Sequence, residues 1–332
     1  MINKGGLIIS LDFELKWGVH DVYSKGEYDN NLIGSRKVIP RMLELFEKYG
    51  IHATWATVGL LYANNKQEME KFSPEVKPSY KNQKLSPYPI LRKIGENELE
   101  EPLFFGSSLV KLIGNTENQE LATHTFSHYY CLEPGQKEVE FQADMQSALC
   151  IADKKGYQIQ SIVFPRNQVN KTYLQICKEK GIKLYRGNEN HWIYEPSYSN
   201  QSQFKRWIKL VDTFLNLTGQ HFYKLTDIKK DPIYNIPASA FLRSINYKLP
   251  LLKKLRYKRI TESMTLAAKN QSLYHLWWHP HNMGKDIDES FAELENILQH
   301  YVMLKDKYQF NSYSMKDIAD LLDVDQVKKE DG

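Results

Sequence analysis

Residues 35–59 read SRKVIPRMLELFEKYGIHATWATVG. The first fifteen carry a helical pattern, Gly50 stands where a helix ends, and IHATWATVG is a β-branched run of strand character. Upstream, GLIISLD at 6–12 reads as a buried strand that finishes on an acid, so 6–59 is one strand-helix-strand unit. The pattern repeats. LAT at 121–123, a helix at 138–155, the strand SIVFP, a helix at 171–180 closed by Gly181 and the strand IKLYR follow in turn. SLYHLWW at 272–278 predicts one more buried strand, 288–308 an amphipathic helix, and Ser314 with Asp317 a capping box that opens a last helix. Such alternation predicts an α/β protein with a parallel sheet wrapped by helices, either doubly wound or closed into a barrel.

Two stretches break the rhythm. Residues 72–105 scatter prolines among charges and predict a surface excursion, while 196–260 is long and irregular and predicts an insert in a single large domain of 1–332. Within that insert, 243–259 (RSINYKLPLLKKLRYKR) holds seven Lys or Arg and no acid. Leu and Tyr interleave with the cations, so the run reads either as a solvated face or as a peripheral contact with an anionic membrane or a phosphate.

The composition, 42% hydrophobic and 12% aromatic over 332 residues, suits a large buried core, and a net charge of +4 asks for no nucleic acid. The apolar run near the N-terminus is too short for a secretion signal, and no stretch reaches the length of a membrane span. Cys131, Cys150 and Cys177 are odd in number and widely spaced, as reduced thiols are. A cytoplasmic protein is expected, with any membrane contact peripheral and at the inner face.

In parallel α/β proteins the chemistry sits at the carboxyl ends of the strands. Asp12 and Glu14 end the first strand, His124 and His128 follow another in HTFSH, Arg166 ends SIVFPRNQ, and His279 and His281 follow SLYHLWW. Each has a plain structural reading: a turn cap, a histidine bonded to backbone carbonyls, a surface ion pair. Their joint placement at strand ends argues instead for one site. The i, i+4 histidines could sit on one side of a helical turn and meet at a metal, and the alternation of a strand turns Asp12 and Glu14 to one face.

In order and wording, SLDFE, HTFSH, FPRNQ and LWWHPHN, with ATWATVG as the second strand, resemble the polysaccharide deacetylase family, the NodB-homology domain of the carbohydrate esterases. The resemblance spans about residues 5–190 and 270–320. It implies a distorted (β/α) barrel with a divalent metal, usually zinc, in its mouth. It also implies Glu14, His124 and His128 as ligands, Asp12 as the base, Arg166 as the partner that keeps that carboxylate ionised, and His279 as the acid, with His281 and His275 as alternatives. The family's paired aspartates are replaced by Asp12-Phe13-Glu14, so the roles of Asp12 and Glu14 can be exchanged. Trp17, Tyr129, Tyr130, Trp277 and Trp278 flank the motifs, as core strand aromatics or as platforms for sugar rings; Trp17, Tyr129, Trp278 and His281 are the expected substrate contacts.

The implied activity is hydrolysis of an N-acetyl or N-formyl group on an amino sugar. The substrate expected is a glycan or a lipid- or nucleotide-linked precursor in surface polysaccharide assembly. A related amidohydrolase acting on a small cyclic amide and a catalytically silent glycan- or membrane-binding module are the competing readings.

Overall fold

A computed structural model describes residues 5–24, 26–196, 203–244 and 249–330, with side chains as far as 324. Part of the expected insert, Lys248 of the basic run included, lies outside the described residues. The strands are β1 (Gly6–Phe13), β2 (Ala53–Thr57), β3 (Gln119–Thr123), β4 (Ser161–Ile162), β5 (Leu184–Gly187), β6 (Tyr234–Pro237), β7 (Ala240–Phe241), β8 (Leu273–Trp278) and β9 (Asn311–Tyr313). The helices are α1 (Asp29–Tyr49), α2 (Lys66–Phe72), α3 (Tyr88–Leu91), α4 (Ser107–Asn115), α5 (Glu138–Lys154), α6 (Tyr173–Glu179), α7 (Gln203–Leu215), α8 (Pro250–Lys269), α9 (Ile287–Tyr308) and α10 (Met315–Glu330).

The sheet runs β6-β5-β4-β3-β2-β1-β8-β7, with β9 also on β1. Every pairing along it is parallel. Its two ends are consecutive in sequence. Tyr234–Pro237 bonds to β5, the N–H of Ala238 donates to Gly187 O at 2.9 Å, and the N–H of Ser239 donates to His275 O at 2.8 Å. The stretch therefore changes partner half-way, from β5 to β8, and curls the sheet into the distorted barrel that the sequence predicts.

Alternation in β1 sorts the side chains. Leu7, Ile9, Leu11 and Phe13 join a core shared with α1, α8 and α9, while Ile8 turns the other way with Ala56, Ala122, Val163, Leu184 and Ile236. Met315, Ile318 and Leu322 of α10 close that second cluster from below. Leu11 is fully buried, so truncating it to Ala would cost about 2–5 kcal/mol. Ser10 and Asp12 share the parity of Ile8 and so point inward above this floor.

Helix α1 begins at Asp29, earlier than the predicted 35, and ends on Gly50 in the left-handed conformation, φ 60°. Gly34 in α1 lies so close to Gly284 that a Cβ would sit 2.0 Å from the Gly284 carbonyl oxygen. This approach fixes the turn Pro280–Met283, which carries His281, against α1. The predicted capping box is present: Ser314 N–H donates to Asp317 Oδ2 at 2.8 Å, and Asp317 N–H to Ser314 Oγ at 3.1 Å.

Both interrupting stretches are more ordered than expected. In 72–105, Tyr80, Leu85, Tyr88 and Leu91 are buried, because the Tyr80 hydroxyl accepts the Tyr130 N–H at 2.9 Å and the segment packs under the loop after β3. The stretch 196–260 contributes α7, β6, β7 and the start of α8, so it is a wall and the seam of the barrel. Its basic run is not a uniform open face. Arg256 is buried against Glu293 and the Arg243 carbonyl, Arg259 pairs with the buried Asp212 at 2.7 Å, and Lys258 lies 3.7 Å from Glu262.

Candidate active site

β1 delivers two carboxylates. Asp12 is the penultimate strand residue and Glu14 the first beyond it, where Leu15 at φ 46° turns the chain. The Glu14 carboxyl folds back over Gly18, where a Cβ would meet its Cδ at 2.0 Å; only glycine leaves room for this acid.

HTFSH is a loop and not the helical turn that its spacing suggested. Thr125 and His128 adopt left-handed φ of 62° and 58°, costly for side-chain-bearing residues and therefore held by neighbours. Asp144 of α5 accepts the Phe126 N–H at 2.7 Å, the Ser127 N–H at 3.2 Å and the Ser127 hydroxyl. Thr125 Oγ1 accepts the Tyr129 N–H at 2.6 Å. Thus held, both imidazoles turn one nitrogen to Glu14: His128 Nε2 lies 3.0 Å and His124 Nε2 3.5 Å from Oε2.

These three donors lie within 4.8 Å of one another, all buried. His124 Nδ1 is 2.8 Å from Val163 O, to which it donates, so Nε2 presents its lone pair. Burial pushes the Glu14 carboxyl up, yet His279, His124 and His128 bring it well below the usual carboxylate range. Burial lowers His128 to about 4. A carboxylate kept ionised beside two imidazoles, one oriented by a carbonyl, is a donor set that fits a divalent cation, with room for an open position.

Asp12 faces a different partner from the one expected. Arg186 of β5 holds it in a fork, Nη1 to Oδ1 at 2.7 Å and Nη2 to Oδ2 at 2.8 Å, and also reaches Ser10 Oγ and Asn167 Oδ1, both at 3.0 Å. Its guanidinium lies 4.2 Å from the centroid of the Trp277 ring. Burial raises the Asp12 carboxyl, but Arg186, His124 and His279 lower it on balance. Arg166 instead pairs with Asp21 at 2.5 Å and covers the Tyr130 ring. The left-handed turn at Arg166 and Asn167 sends the arginine outward and leaves Asn167 to face Arg186. Sequence reasoning missed Arg186, whose signal was a cation inside the apolar strand IKLYR.

His279 Nε2 is 3.7 Å from both Asp12 Oδ2 and Glu14 Oε1, and its ring stacks 4.9 Å from that of His281. His281 is buried, 4.0 Å from Glu14. His275 lies deeper, its Nε2 2.8 Å from Ser10 Oγ. Trp17, Tyr129 and Trp278 are fully buried and so are core residues, not sugar platforms. The Trp17 indole donates to Phe104 O, the Tyr129 hydroxyl to Gln136 and Lys137 O, and Trp278 packs on Phe46. Parity explains the correction: in β8, Trp278 faces the helices with Tyr274 and Leu276, whereas Trp277 shares the inward face of His275. With His279, Phe241 and Tyr194, Trp277 lines a cavity of about 220 Å³, which α7 bounds with Lys209 and Thr213.

Residues 28–185 match the polysaccharide deacetylase family model. The match takes in just under half of the chain, 158 of its 332 residues. The matched stretch holds the histidine pair; the Asp12–Glu14 motif, Arg186 and His279 lie outside it. Solved structures agree in fold. A Mycobacterium smegmatis protein assigned to the polysaccharide deacetylases is 11% identical, with 98% of this chain and 93% of that one covered at a TM-score of 0.59. One from Pseudomonas aeruginosa, also assigned to the family, is 10% identical over 95% and 88%, at 0.52. The GH57-type branching enzyme of Pyrococcus horikoshii is 12% identical over 96% and 70%, also at 0.52. A search of curated proteins gave no match.

Proposed function

We propose that this chain hydrolyses the N-acyl group, acetyl or formyl, of an amino sugar in a glycan or glycan precursor of surface polysaccharide assembly. One observation carries the reading: the buried Glu14, His124 and His128 donors adjoin an arginine-held Asp12, and His279, 3.7 Å from both carboxylates, connects them to the cavity that it lines. Glu14, His124 and His128 would hold a divalent cation, zinc being suited to two imidazoles and a carboxylate, with Asp12 left outside the set. When bound, the cation supplies a Lewis acid for the acyl carbonyl and an acidified water.

The side chains account for the proton transfers. Asp12, kept ionised by Arg186, takes the proton of the water that attacks the acyl carbon. The carbon–nitrogen bond then breaks, and His279, at the cavity side of both carboxylates, gives its proton to the departing amine nitrogen. The products are the free acid and the amino sugar. Trp277, with Phe241 and Tyr194, offers apolar faces for the sugar ring on the same wall as His279.

Acetate and formate release from N-acylated amino sugars, soluble and lipid-linked, tests this directly. Asp12→Asn is expected to keep the metal while losing about 10²–10⁴-fold in turnover, and Glu14→Ala to lose the metal. A metal-loaded protein that releases neither acid from any of these substrates would sink the proposal; metal loss in Asp12→Asn and retention in Glu14→Ala would exchange the two roles.

A further inference from the structure

The helix α7, QFKRWIKLVDTFL, is amphipathic with its faces reversed. Two of its polar residues point inward: Asp212 is fully buried, bonded to the Tyr194 hydroxyl and to Arg259, each at 2.7 Å, and Thr213 is buried beside the cavity. Several of its apolar residues point outward. Phe204 and Trp207 are each 67% exposed and Leu215 57%, at spacings that place them along one stripe. Trp192, 51% exposed, extends the patch, with the Lys205 ammonium 5.4 Å from its ring centroid. Soluble monomers rarely leave such a contiguous apolar stripe in water.

The accompanying charges identify what covers it. Lys205 and Arg206 accompany the stripe with no acid between Gln203 and Val211, whereas Lys209 is turned to the cavity and Tyr194, and the single acid of the helix, Asp212, is turned inward to Arg259. Aromatic rings at the water boundary with cations beside them match the chemistry of an anionic lipid surface, where the rings enter the acyl boundary and the cations meet phosphates. We infer that the outer face of α7, with Trp192, docks on anionic membrane. The inner face of the same helix supplies Lys209 and Thr213 to the cavity beside His279, so docking would bring the candidate site to the bilayer surface and favour a lipid-linked amino sugar. That last step rests on the deacylase reading; the docking itself does not.

Sedimentation of the full chain with vesicles separates the two. The protein is expected to pellet with phosphatidylcholine vesicles containing phosphatidylglycerol and to stay in solution with phosphatidylcholine alone. Phe204→Ala with Trp207→Ala should abolish pelleting, and Arg206→Gln should weaken it at low salt, with the difference from the parent shrinking as salt screens the charge. The blue shift of tryptophan fluorescence on vesicles should be reduced in Trp207→Phe. Circular dichroism checks that the variants fold, and acyl release from a soluble amino sugar should be the same in Phe204→Ala/Trp207→Ala as in the parent. Absence of pelleting by the parent would overturn the inference, as would equal pelleting by the double variant. A parent dimer that forms without lipid and dissociates in the double variant would give the face to a second copy of the chain and overturn it too. Absence of acyl release in every protein, with vesicle binding intact, would remove the deacylase reading alone.

Discussion

Arg186 is buried between Asp12 and the face of Trp277, whereas Arg166 is part-exposed and paired with Asp21. The two arginines carry the same charge, but only the first can orient a base, because its planar fork fixes both oxygens of Asp12. Arg186→Lys keeps the charge and removes the fork. It should lower turnover by about 10²-fold with metal content unchanged, and it should shift the acid limb of the rate profile upward as Asp12 loses its bidentate partner. Arg166→Ala removes a part-buried partner of Asp21 and a lining residue of the cavity but no contact to Asp12, so it should leave the acid limb of the rate profile where it is. Equal shifts of that limb in the two variants would show that Arg186 does not act through Asp12. The contrast also marks what single residues disclose in sequence. The inward parity of Asp12 and the clustering of Glu14 with two histidines follow from alternation and from the motifs. Which of two arginines reaches Asp12 depends on a left-handed turn at 166–167 that no pattern announces.

The loop that carries His124 and His128 is held in shape by its neighbours. HTFSH has two residues at positive φ and relies on a carboxylate from α5, eighteen positions after Phe126, to satisfy its backbone. Asp144 is a positioning residue. In Asp144→Asn an amide would face N–H donors with its own N–H₂ or lose one of the three bonds, so stability should fall by about 1–3 kcal/mol and metal occupancy should fall with it. Thermal unfolding and metal analysis of the same preparation check this; a variant as stable and as metal-rich as the parent would free the loop from α5. At this scale the sequence was readable where a pattern is local: β1, α5, β8, α9 and the Ser314–Asp317 box stand where periodicity and capping put them. It was not readable where tertiary contact decides. α7, β6 and β7 lie in a stretch that looked irregular, because α7 has its apolar stripe outward and β7 is two residues long.

Closure of the barrel joins segments far apart in the chain, with 234–241 bridging β5 and β8, and it seals histidines into the interior. No local pattern predicts that seam, since its partners are set by curvature. Its consequence is a pH dependence of the whole fold. Burial lowers His128 and His221 to about 4 and His275 and His281 to about 3. Between those values and the ordinary imidazole value near 6.5, the unfolded chain binds more protons than the folded one, so stability rises with pH through this window and is lost as pH falls through it. Three buried carboxyls oppose the trend: burial raises Asp144 to about 6 and also raises Glu120 and Glu189, so that the folded state takes up protons there. The carboxyls act mainly between their ordinary values near 4 and about 6, so above that range the four imidazoles act alone. The thermal midpoint of metal-free protein should therefore drop between pH 7 and pH 5, before the ordinary carboxylates titrate. His275 offers the cleanest check, because it lies outside the Glu14, His124 and His128 group and bonds to Ser10 Oγ. His275→Gln can keep that bond without titrating, and so should make the dependence shallower while leaving the midpoint at pH 7 less affected than at pH 5. A midpoint that is flat from pH 7 to 5, or a slope that His275→Gln leaves unchanged, would mean that these imidazoles are protonated within the folded barrel.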